Sequence, residues 1–407
     1  MKCGLLGRKL SHSYSPAIHA SFGDYDYTLF EIEPENLSDF MKTENFHGIN
    51  VTIPYKQSVI EFCAELSPVA REIRSVNTIV RRPNGELFGD NTDAAGFKKM
   101  VEQLGVSVAG KKIIIFGSHG SSLSVQYVMR ELGAGEIIVV AIEDNCPEFL
   151  QKHSDATIVI NCTPTGMYPN VGAGDPPVSI THFPKLEAVL DVVYNPARTW
   201  LMIDAEEREI PTIGGLTMLV GQAAVSSEIF TGKKISDTKE ASVIEMLRRR
   251  MENIIIIGMP GSGKSTHGRL IAAKLNKPFI DADAEIEKAA ERTIPEIFAE
   301  EGEEAFRAKE TEVLAKFGKE SGLVIATGGG CVTREENYRH LHQNGIIIFT
   351  ERDTGELARE GRPLSQGDLN DMYKKRLPMY RHFADITVKV DGNPQYVAER
   401  IMESIYK

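Results

Sequence analysis

Paired cysteines and long hydrophobic runs are both missing from this sequence. Its 407 residues include only five cysteines, at scattered positions: Cys3, Cys63, Cys146, Cys162 and Cys331. Such an odd, unpaired set gives no indication of a disulfide framework or a zinc site, and it is typical of a reducing compartment. No run approaches the ~20 apolar residues of a membrane span, and the first residues lack the apolar core of a signal peptide. We therefore expect a soluble, cytoplasmic protein without a membrane partner.

An excess of positive charge is also missing. The chain has 46 basic and 57 acidic side chains, which gives a net charge of -11 and a pI near 5.5. The overall charge offers no attraction to nucleic acid or to an anionic membrane, and we predict neither as a partner. Any anionic ligand must be bound by a local group of basic residues.

Composition and periodicity predict a globular α/β protein of several domains. Hydrophobic residues make up 42% and charged residues 25% of the chain, as in soluble globular proteins. The length corresponds to about two to four domains. Short apolar runs alternate with helical patterns, which favours parallel sheets covered by helices. The predicted strands begin near Cys3, Tyr27, Phe46, Lys112, Glu136, Ala156, Ala188, Asn253, Pro278, Leu323, Ile346 and Ile386.

Two local signals refine this organisation. Asn84-Gly85 separates the runs 77–82 and 86–89, and an Asn-Gly pair between such runs predicts a β-hairpin. Between Gly232 and Glu252, a polar segment leads into a helical run that ends just before the apolar run 253–257. This stretch is the clearest domain boundary in the sequence.

The strongest motif is GMPGSGKST, which spans residues 258–266 between an apolar run and a helical pattern. It fits the phosphate loop G-x-x-x-x-G-K-S/T in its strand-loop-helix setting. Its glycines let backbone N–H groups point at phosphates near a helix N-terminus, where the helix dipole favours negative charge. The motif predicts ATP as a ligand, with Lys264 neutralising the β and γ phosphates and Ser265 binding magnesium. The predicted nucleotide-binding residues are Gly258, Gly261, Ser262, Gly263, Lys264, Ser265 and Thr266.

Five further motifs follow this loop in order: FIDAD (279–283), GEEAFR (302–307), TGGG (327–330), GRPLS (361–365) and KRLPMY (375–380). With the phosphate loop, they make residues 253–407 similar to shikimate kinase. The resemblance implies that Asp281 belongs to the shell of the Mg²⁺ ion. It also implies that Asp283, two residues on, orients and deprotonates the acceptor hydroxyl.

The same resemblance assigns the other kinase residues. Arg307 and Arg376 match arginines whose planar guanidinium groups suit a bidentate grip on the substrate carboxylate. Gly329 matches a backbone contact with the ring substituents, and Lys264 is expected to be catalytic. Arg362 matches the lid arginine that closes over the phosphates. The segment 351–362 is shorter than the usual lid of the family, so an altered lid closure is one expectation.

Seven weaker motifs lie in the first half: SHSYSP (11–16), INVTIPYK (49–56), SVNT (75–78), GDNTD (89–93), NCTPTGM (161–167), DVVYNP (191–196) and GGLTMLVGQAA (214–224). In this order they resemble shikimate dehydrogenase over residues 1–250, a family that reduces 3-dehydroshikimate with NADPH. The resemblance implies a split substrate domain around a Rossmann-like nucleotide domain. Carbonyl reduction needs a proton donor near the oxygen, and a carboxylate beside a lysine can orient it. Lys56 and Asp93 match this catalytic pair.

The dehydrogenase resemblance also implies the binding residues. Ser13 and Ser15 match hydroxyls that bind the substrate carboxylate. The ring contacts and one further pocket residue correspond to Thr52, Asn77, Gln222 and Tyr194. The residues assigned to the nicotinamide cofactor are Gly117, Gly120, Ser121, Glu143, Thr163 and Gly215.

The cofactor turn departs from the family pattern. After the predicted strand 112–116, His119 stands at a position that is normally glycine, and a side chain there can crowd the pyrophosphate. Ile142 stands where the family places an arginine on the 2′-phosphate of NADP. Glu143, 26 residues after Gly117, lies near the acidic position that binds the free 2′-hydroxyl of NAD. We hypothesise that this half prefers NADH or binds either nicotinamide weakly.

Together, these observations predict a bifunctional α/β enzyme. A bilobed dehydrogenase would reduce 3-dehydroshikimate to shikimate with reduced NADP or NAD, and a P-loop α/β kinase domain would phosphorylate the shikimate 3-hydroxyl with ATP and magnesium. The expected domains are residues 1–95 with 215–250 for the substrate domain, 96–214 for the nicotinamide domain and 251–407 for the kinase.

The sequence is also compatible with other functions for each half. The first half could be a binding or structural module that has lost catalysis through its cofactor turn, or a dehydrogenase of quinate. The second half could be another small-molecule P-loop kinase. The sequence does not determine the oligomeric state or whether shikimate is channelled between the halves.

Overall fold

The computed structural model of the protein describes residues 1–10, 13–118, 120–141, 144–171, 180–357 and 369–406. The chain divides into two compact units. The first is Met1–Gly166, Gly172–Tyr194 and Leu201–Leu247, and the second is Met167–Val171, Asn195–Trp200 and Arg248–Lys407. The described strands form three sheets accompanied by helices, which confirms the predicted α/β class.

The first sheet is mixed. Its strands are β1 (Lys2–Gly7), β2 (Asp26–Glu31), β3 (Gly48–Val51), β4 (Glu65–Leu66), β5 (Thr78–Arg81) and β6 (Leu87–Asp90), and its helices are α1 (Ser15–Phe22), α2 (Leu37–Thr43) and α3 (Pro68–Ile73). The strand order is β2-β1-β3-β5-β6-β4, with β1 parallel to β2 and β3 and with β5 antiparallel to β3 and β6. Asn84 and Gly85 lie in the turn between β5 and β6, which confirms the predicted hairpin.

The second sheet is parallel throughout. Its strands are β7 (Lys112–Phe116), β8 (Glu136–Val140), β9 (Ile158–Asn161), β10 (Ala188–Asp191) and β11 (Thr212–Gly214), and the helices of this region are α4 (Asp93–Leu104), α5 (Ser121–Glu131), α6 (Pro147–Lys152), α7 (Trp200–Glu207), α8 (Leu216–Thr231) and α9 (Asp237–Met251). The strand order is β11-β10-β9-β7-β8. In β7, Ile113 and Ile115 pack with residues of α4 and α5, whereas Ile114 and Phe116 pack with residues of α6 and α7. Both faces of the strand are therefore covered, as its unbroken apolar pattern predicts.

The third sheet is also parallel. Its strands are β12 (Asn253–Ile257), β13 (Phe279–Asp281), β14 (Val324–Ala326), β15 (Gly345–Glu351) and β16 (Ile386–Lys389), and its helices are α10 (Lys264–Leu275), α11 (Ala282–Ala290), α12 (Ile294–Glu300), α13 (Gly302–Gly318), α14 (Glu336–His342), α15 (Leu369–Phe383) and α16 (Pro394–Ile405). The strand order is β13-β14-β12-β15-β16. The isoleucines of β12 alternate between two hydrophobic clusters, one with α11, α13 and α15 and one with α10 and α16.

Each predicted strand is present within two residues of its expected start, and α9 is the helix expected before residue 253. The short strands β4 and β11 are not predicted by the sequence, because strands of two and three residues have no periodic signal. All five cysteines are free thiols. Within the described ranges, no helix combines the length and the apolar content needed to span a membrane.

Helices α4 and α8 of the first unit pack closely against each other at Gly96. A Cβ atom on Gly96 would lie 2.5 Å from the carbonyl oxygen of Met218 and 2.8 Å from the backbone nitrogen of Gln222. Gly221 faces this point from α8, because a Cβ there would lie 3.3 Å from the Cα of Gly96. The absence of a side chain at Gly96 therefore sets the spacing between the helix that begins at Asp93 and the helix that carries Gln222.

The variant Gly96→Ala should lower the free energy of unfolding by about 1–3 kcal/mol, because overpacking at this contact forces two helix backbones apart. Calorimetric unfolding of the full chain measures the change in the transition of the first unit. Lys98→Ala, at an exposed position of the same helix, is the control and should leave the Tm nearly unchanged. An equal Tm for Gly96→Ala and Lys98→Ala would contradict the close packing of α4 against α8 at Gly96.

Candidate active sites

The structure brings Lys56, Asn77 and Asp93 together around one carboxyl group. The Lys56 Nζ lies 2.5 Å from Asp93 Oδ2, and the Asn77 Nδ2 donates to Asp93 Oδ1 at 2.8 Å. The side chains of Lys56 and Asp93 are 16% and 10% exposed, so the ion pair reaches solvent only at its edge. Lys56 is thus held with its ammonium group fixed beside a carboxylate, as the predicted catalytic pair requires.

The orientation of the Asn77 amide follows from its neighbours. The backbone N–H of Thr92 donates to Asn77 Oδ1 at 2.7 Å, and a backbone N–H can only be a donor. The Asn77 Nδ2 must therefore face Asp93. One of its two hydrogens is donated to Asp93, and the other makes no hydrogen bond with the residues that the structure describes.

The remaining predicted substrate residues lie on several elements. Ser15 begins α1, and its N–H donates to the Ser13 hydroxyl at 3.2 Å. Thr52 follows β3, and its N–H donates to the carbonyl of Leu6 at 2.9 Å. On α8, the Gln222 Oε1 lies 3.5 Å from the hydroxyl of Thr92, the residue before Asp93. The ring of Tyr194 meets the Tyr14 ring edge-on, with centroids 6.1 Å apart.

The predicted cofactor turn lies between β7 and α5, where the order of the second sheet reverses. Gly117 and Gly120 have φ angles of +98° and +62°, and Ser121 begins α5. A strand, a glycine turn and a helix N-terminus at such a reversal point fit the pyrophosphate of a dinucleotide. His119, Ile142 and Glu143 lie outside the described residues, so the preference for NADH stays a prediction.

Thr163 follows the carboxyl end of β9 and Gly215 follows that of β11, the two strands that flank β10 in the parallel sheet. The N–H and hydroxyl of Thr163 donate to Asn161 Oδ1 at 3.0 and 2.7 Å, and Asn161 Nδ2 donates in turn to Asp191 Oδ1 at 3.0 Å. Gly215 precedes α8, and its N–H donates to the Val193 carbonyl at 2.9 Å. These contacts hold the loops after β9, β10 and β11 at the same edge of the sheet as the glycine turn.

The phosphate loop of the second unit connects β12 to α10. Gly258, Gly261 and Gly263 have φ angles of +148°, +85° and +87°, conformations in which glycine carries no steric penalty. The Lys264 Nζ donates to the carbonyls of Gly258 and Met259, both at 3.0 Å. The loop thus has the backbone geometry to surround phosphates, and its buried lysine is already at its centre.

A cavity of about 290 Å³ adjoins this loop. Part of its wall is the phosphate loop and the start of α10, and the rest includes predicted acceptor residues and apolar side chains. Its lining residues include Gly261, Gly263, Lys264, Ser265, Thr266, Asp283, Arg307, Gly329, Arg376, Ile294, Phe298 and Phe306. The wall does not include Asp281, which ends β13 with its carboxylate 3.8 Å from Arg269.

Two buried arginines define the acceptor side of the cavity. Arg307 is 4% exposed and donates to Glu310 Oε2 at 2.7 Å and to Glu303 Oε1 at 3.1 Å. Arg376 is 9% exposed and donates to the carbonyl of Gly329 at 3.1 Å. Both guanidinium groups border the cavity, and this arrangement suits a small ligand that carries a carboxylate.

Sequence reasoning did not identify Glu310, which lines the same cavity. Its side chain is fully buried, and its Oε1 has no hydrogen-bond partner among the described residues. Burial raises the pKa of Glu310, and the Arg307 guanidinium opposes that shift. The one available signal was the Arg-x-x-Glu spacing within a helical pattern, which places both side chains on one helix face. Arg362 and its lid segment lie outside the described residues.

Both halves of the chain match family models. Residues 5–79 match the shikimate dehydrogenase substrate binding domain, and residues 260–406 match shikimate kinase. The chain is 34% identical over 269 residues to a shikimate dehydrogenase (NADP(+)) of Clostridium perfringens, and the match covers 61% of this chain and 98% of the relative.

Solved structures match the first part of the chain. A chorismate mutase/shikimate 5-dehydrogenase fusion protein from Clostridium acetobutylicum is 32% identical with a TM-score of 0.55, over 60% of this chain and 96% of that one. Shikimate dehydrogenase 1 from Peptoclostridium difficile is 33% identical with a TM-score of 0.54, over 61% of this chain and 98% of that one. The chain therefore belongs to the shikimate dehydrogenase family of oxidoreductases, and its second part carries a domain of the shikimate kinase family of phosphotransferases.

Proposed function

We propose that this chain catalyses two consecutive reactions: the reduction of 3-dehydroshikimate to shikimate, and the phosphorylation of the shikimate 3-hydroxyl. The proposal is supported by the side chains that each unit brings together. The first has the Lys56–Asp93 pair, and the second has one cavity shared by a phosphate loop and two buried arginines. The alcohol made in the first reaction then enters the second as its substrate.

In the dehydrogenase, Lys56 would give its proton to the carbonyl oxygen of 3-dehydroshikimate as that oxygen becomes an alcohol. A reduced nicotinamide, when bound, supplies the hydride that forms the new C–H bond. Asp93 would orient the ammonium group of Lys56, and the second amide hydrogen of Asn77 would be donated to a ring hydroxyl. Ser13, Ser15, Thr52, Gln222 and Tyr194 would bind the substrate carboxylate and the rest of the ring. Gly117, Gly120, Ser121, Glu143, Thr163 and Gly215 would contact the cofactor.

In the kinase, Asp283 would accept the proton of the shikimate 3-hydroxyl as its oxygen forms a bond to the γ-phosphorus of ATP and the bond to ADP breaks. Arg307 and Arg376 would bind the substrate carboxylate, and Gly329 a ring substituent. Lys264 would exchange its two carbonyl partners for phosphate oxygens, while Ser265 and Asp281 would hold magnesium. Arg362 would add positive charge over the transferring group.

The proposed domain boundaries are those expected from the sequence: 1–95 with 215–250, 96–214 and 251–407. They are supported by the sheets, because the strands β1–β6, β7–β11 and β12–β16 fall into these three ranges in turn. A cytoplasmic location is part of the proposal, supported by the free thiol state of the five cysteines.

The residues near the cofactor turn also indicate which nicotinamide the first half prefers. The Clostridium perfringens relative is named as NADP(+)-dependent, whereas Ile142 and Glu143 in this chain favour the free 2′-hydroxyl of NAD. We propose that the first half prefers NADH. Initial rates of 3-dehydroshikimate reduction, measured over a range of NADH and of NADPH concentrations, should give the higher kcat/KM with NADH. A strong preference for NADPH would contradict this assignment.

The variant Lys56→Met should lower kcat for 3-dehydroshikimate reduction by about 100-fold or more, because the proton donor is lost. Phosphorylation of shikimate by the same preparation should be unchanged, and Lys98→Met provides an exposed lysine control. An unaltered reduction rate would favour the alternative in which the first half is a binding module.

The variant Lys264→Met should lower kcat for shikimate phosphorylation by about 100-fold or more, because a positive charge is removed from the β and γ phosphates. Lys274→Met, on the same helix and with a side chain that is 47% exposed, should phosphorylate normally. An assay of shikimate phosphorylation that records ADP release, with ATP and magnesium at saturation, measures kcat. Retention of full kinase activity in Lys264→Met would rule out the proposed role of the phosphate loop.

A further inference from the structure

A buried hydroxyl on α8 lies where three other elements meet behind the dehydrogenase site. Ser226 has no exposed surface. Its Oγ is 2.8 Å from Asn50 Nδ2 in β3, 2.8 Å from the Thr78 hydroxyl in β5 and 3.0 Å from the hydroxyl of Thr92, which precedes α4. One serine hydroxyl thus contacts the ends of two strands and of one helix.

The directions of these hydrogen bonds follow from the chemistry of the groups. Asn50 Nδ2 lies 3.4 Å from the backbone carbonyl of Asn77, which can only accept, so this atom is the amide nitrogen and donates to Ser226. The Ser226 hydroxyl in turn donates to the carbonyl of Gln222 at 2.9 Å. Ser226 is therefore both an acceptor and a donor, and it links β3 directly to the turn of α8 that carries Gln222.

The Ser226 hydroxyl connects to the Asp93 carboxylate through three successive hydrogen bonds, the first of which reaches Thr78 or Thr92. The Thr78 and Thr92 hydroxyls lie 3.1 and 3.2 Å from Asn77 Oδ1. Asn77 then donates to Asp93, which holds Lys56. All three intermediate side chains are at most 3% exposed, so water cannot readily replace a lost partner, and removal of the Ser226 hydroxyl would shift Asn50, Thr78 and Thr92 toward their remaining partners.

We propose that Ser226 is a positioning residue for the dehydrogenase reaction. It fixes α8, and with it Gln222, relative to the Asn77 amide that orients Asp93. The inference rests on the proposed reductase function of the first half. Ser226 itself does not touch the substrate in this assignment, and its effect reaches the reacting atoms through Gln222 and Asn77.

The test compares Ser226→Ala with Ser227→Ala in the full chain. Ser227 is the next residue of α8 and is equally buried, but its Oγ has no hydrogen-bond partner at normal distance among the described residues. Ser226→Ala should lower kcat/KM for 3-dehydroshikimate by about tenfold or more, since small displacements of positioned groups are costly to catalysis. Its KM for 3-dehydroshikimate should rise while the KM for the nicotinamide stays unchanged. Ser227→Ala should behave as wild type in both respects.

Kinase activity in the same preparations, together with the Tm, reports whether the variants remain folded. Ser226→Cys is the second variant, because cysteine keeps the shape of the side chain but is a weak hydrogen-bonding group; it should show the same selective loss. Equal kcat/KM values for the two alanine variants would overturn the role of Ser226. An equal rise in the KM for the nicotinamide and the KM for 3-dehydroshikimate would overturn it as well. A wild-type chain that does not reduce 3-dehydroshikimate would instead overturn the proposed function itself, and with it this inference.

Discussion

The burial of two interior strands on both faces determines where this chain can bind nucleotides. β7 and β12 lie inside parallel sheets, and alternate residues of each strand pack against helices on opposite sides. Because neither face is open, the loops that can receive a ligand are those at the carboxyl ends of the strands, where the strand order reverses. The glycine turns after β7 and β12 both lie at such a point. The same apolar pattern therefore underlies both nucleotide sites.

The two candidate substrate sites compensate charge in different ways. In the dehydrogenase, a single ion pair is surrounded by neutral hydroxyls and amides, which determine its geometry through hydrogen bonds. In the kinase, the buried Arg307 is balanced by two carboxylates. A chain with a net charge of -11 does not attract an anionic substrate by its overall field, so local groups of this kind are needed in each unit.

Much of this organisation could be predicted from the sequence, because its signals are local. Strand positions follow from apolar runs, the hairpin from Asn84-Gly85, and the phosphate loop from residues that are adjacent in the chain. The roles of Glu310 and Ser226 could not be predicted from the sequence, because no local pattern assigns a role to either residue. Serine and glutamate occur on most helices, and the partner of Ser226 in β3 is 176 positions away.

The sequence by itself determined the α/β class, the order of the elements and the residue types available at each site, since periodicity and turn chemistry act over a few residues. Only the tertiary structure decided which of these groups meet. The Asn77 amide faces Asp93 because a backbone N–H from a different element occupies its oxygen. The spacing of α4 and α8 is set where Gly96 lies against the backbone of the other helix. Contacts of this kind depend on the three-dimensional approach of distant segments, which packing rather than local pattern determines.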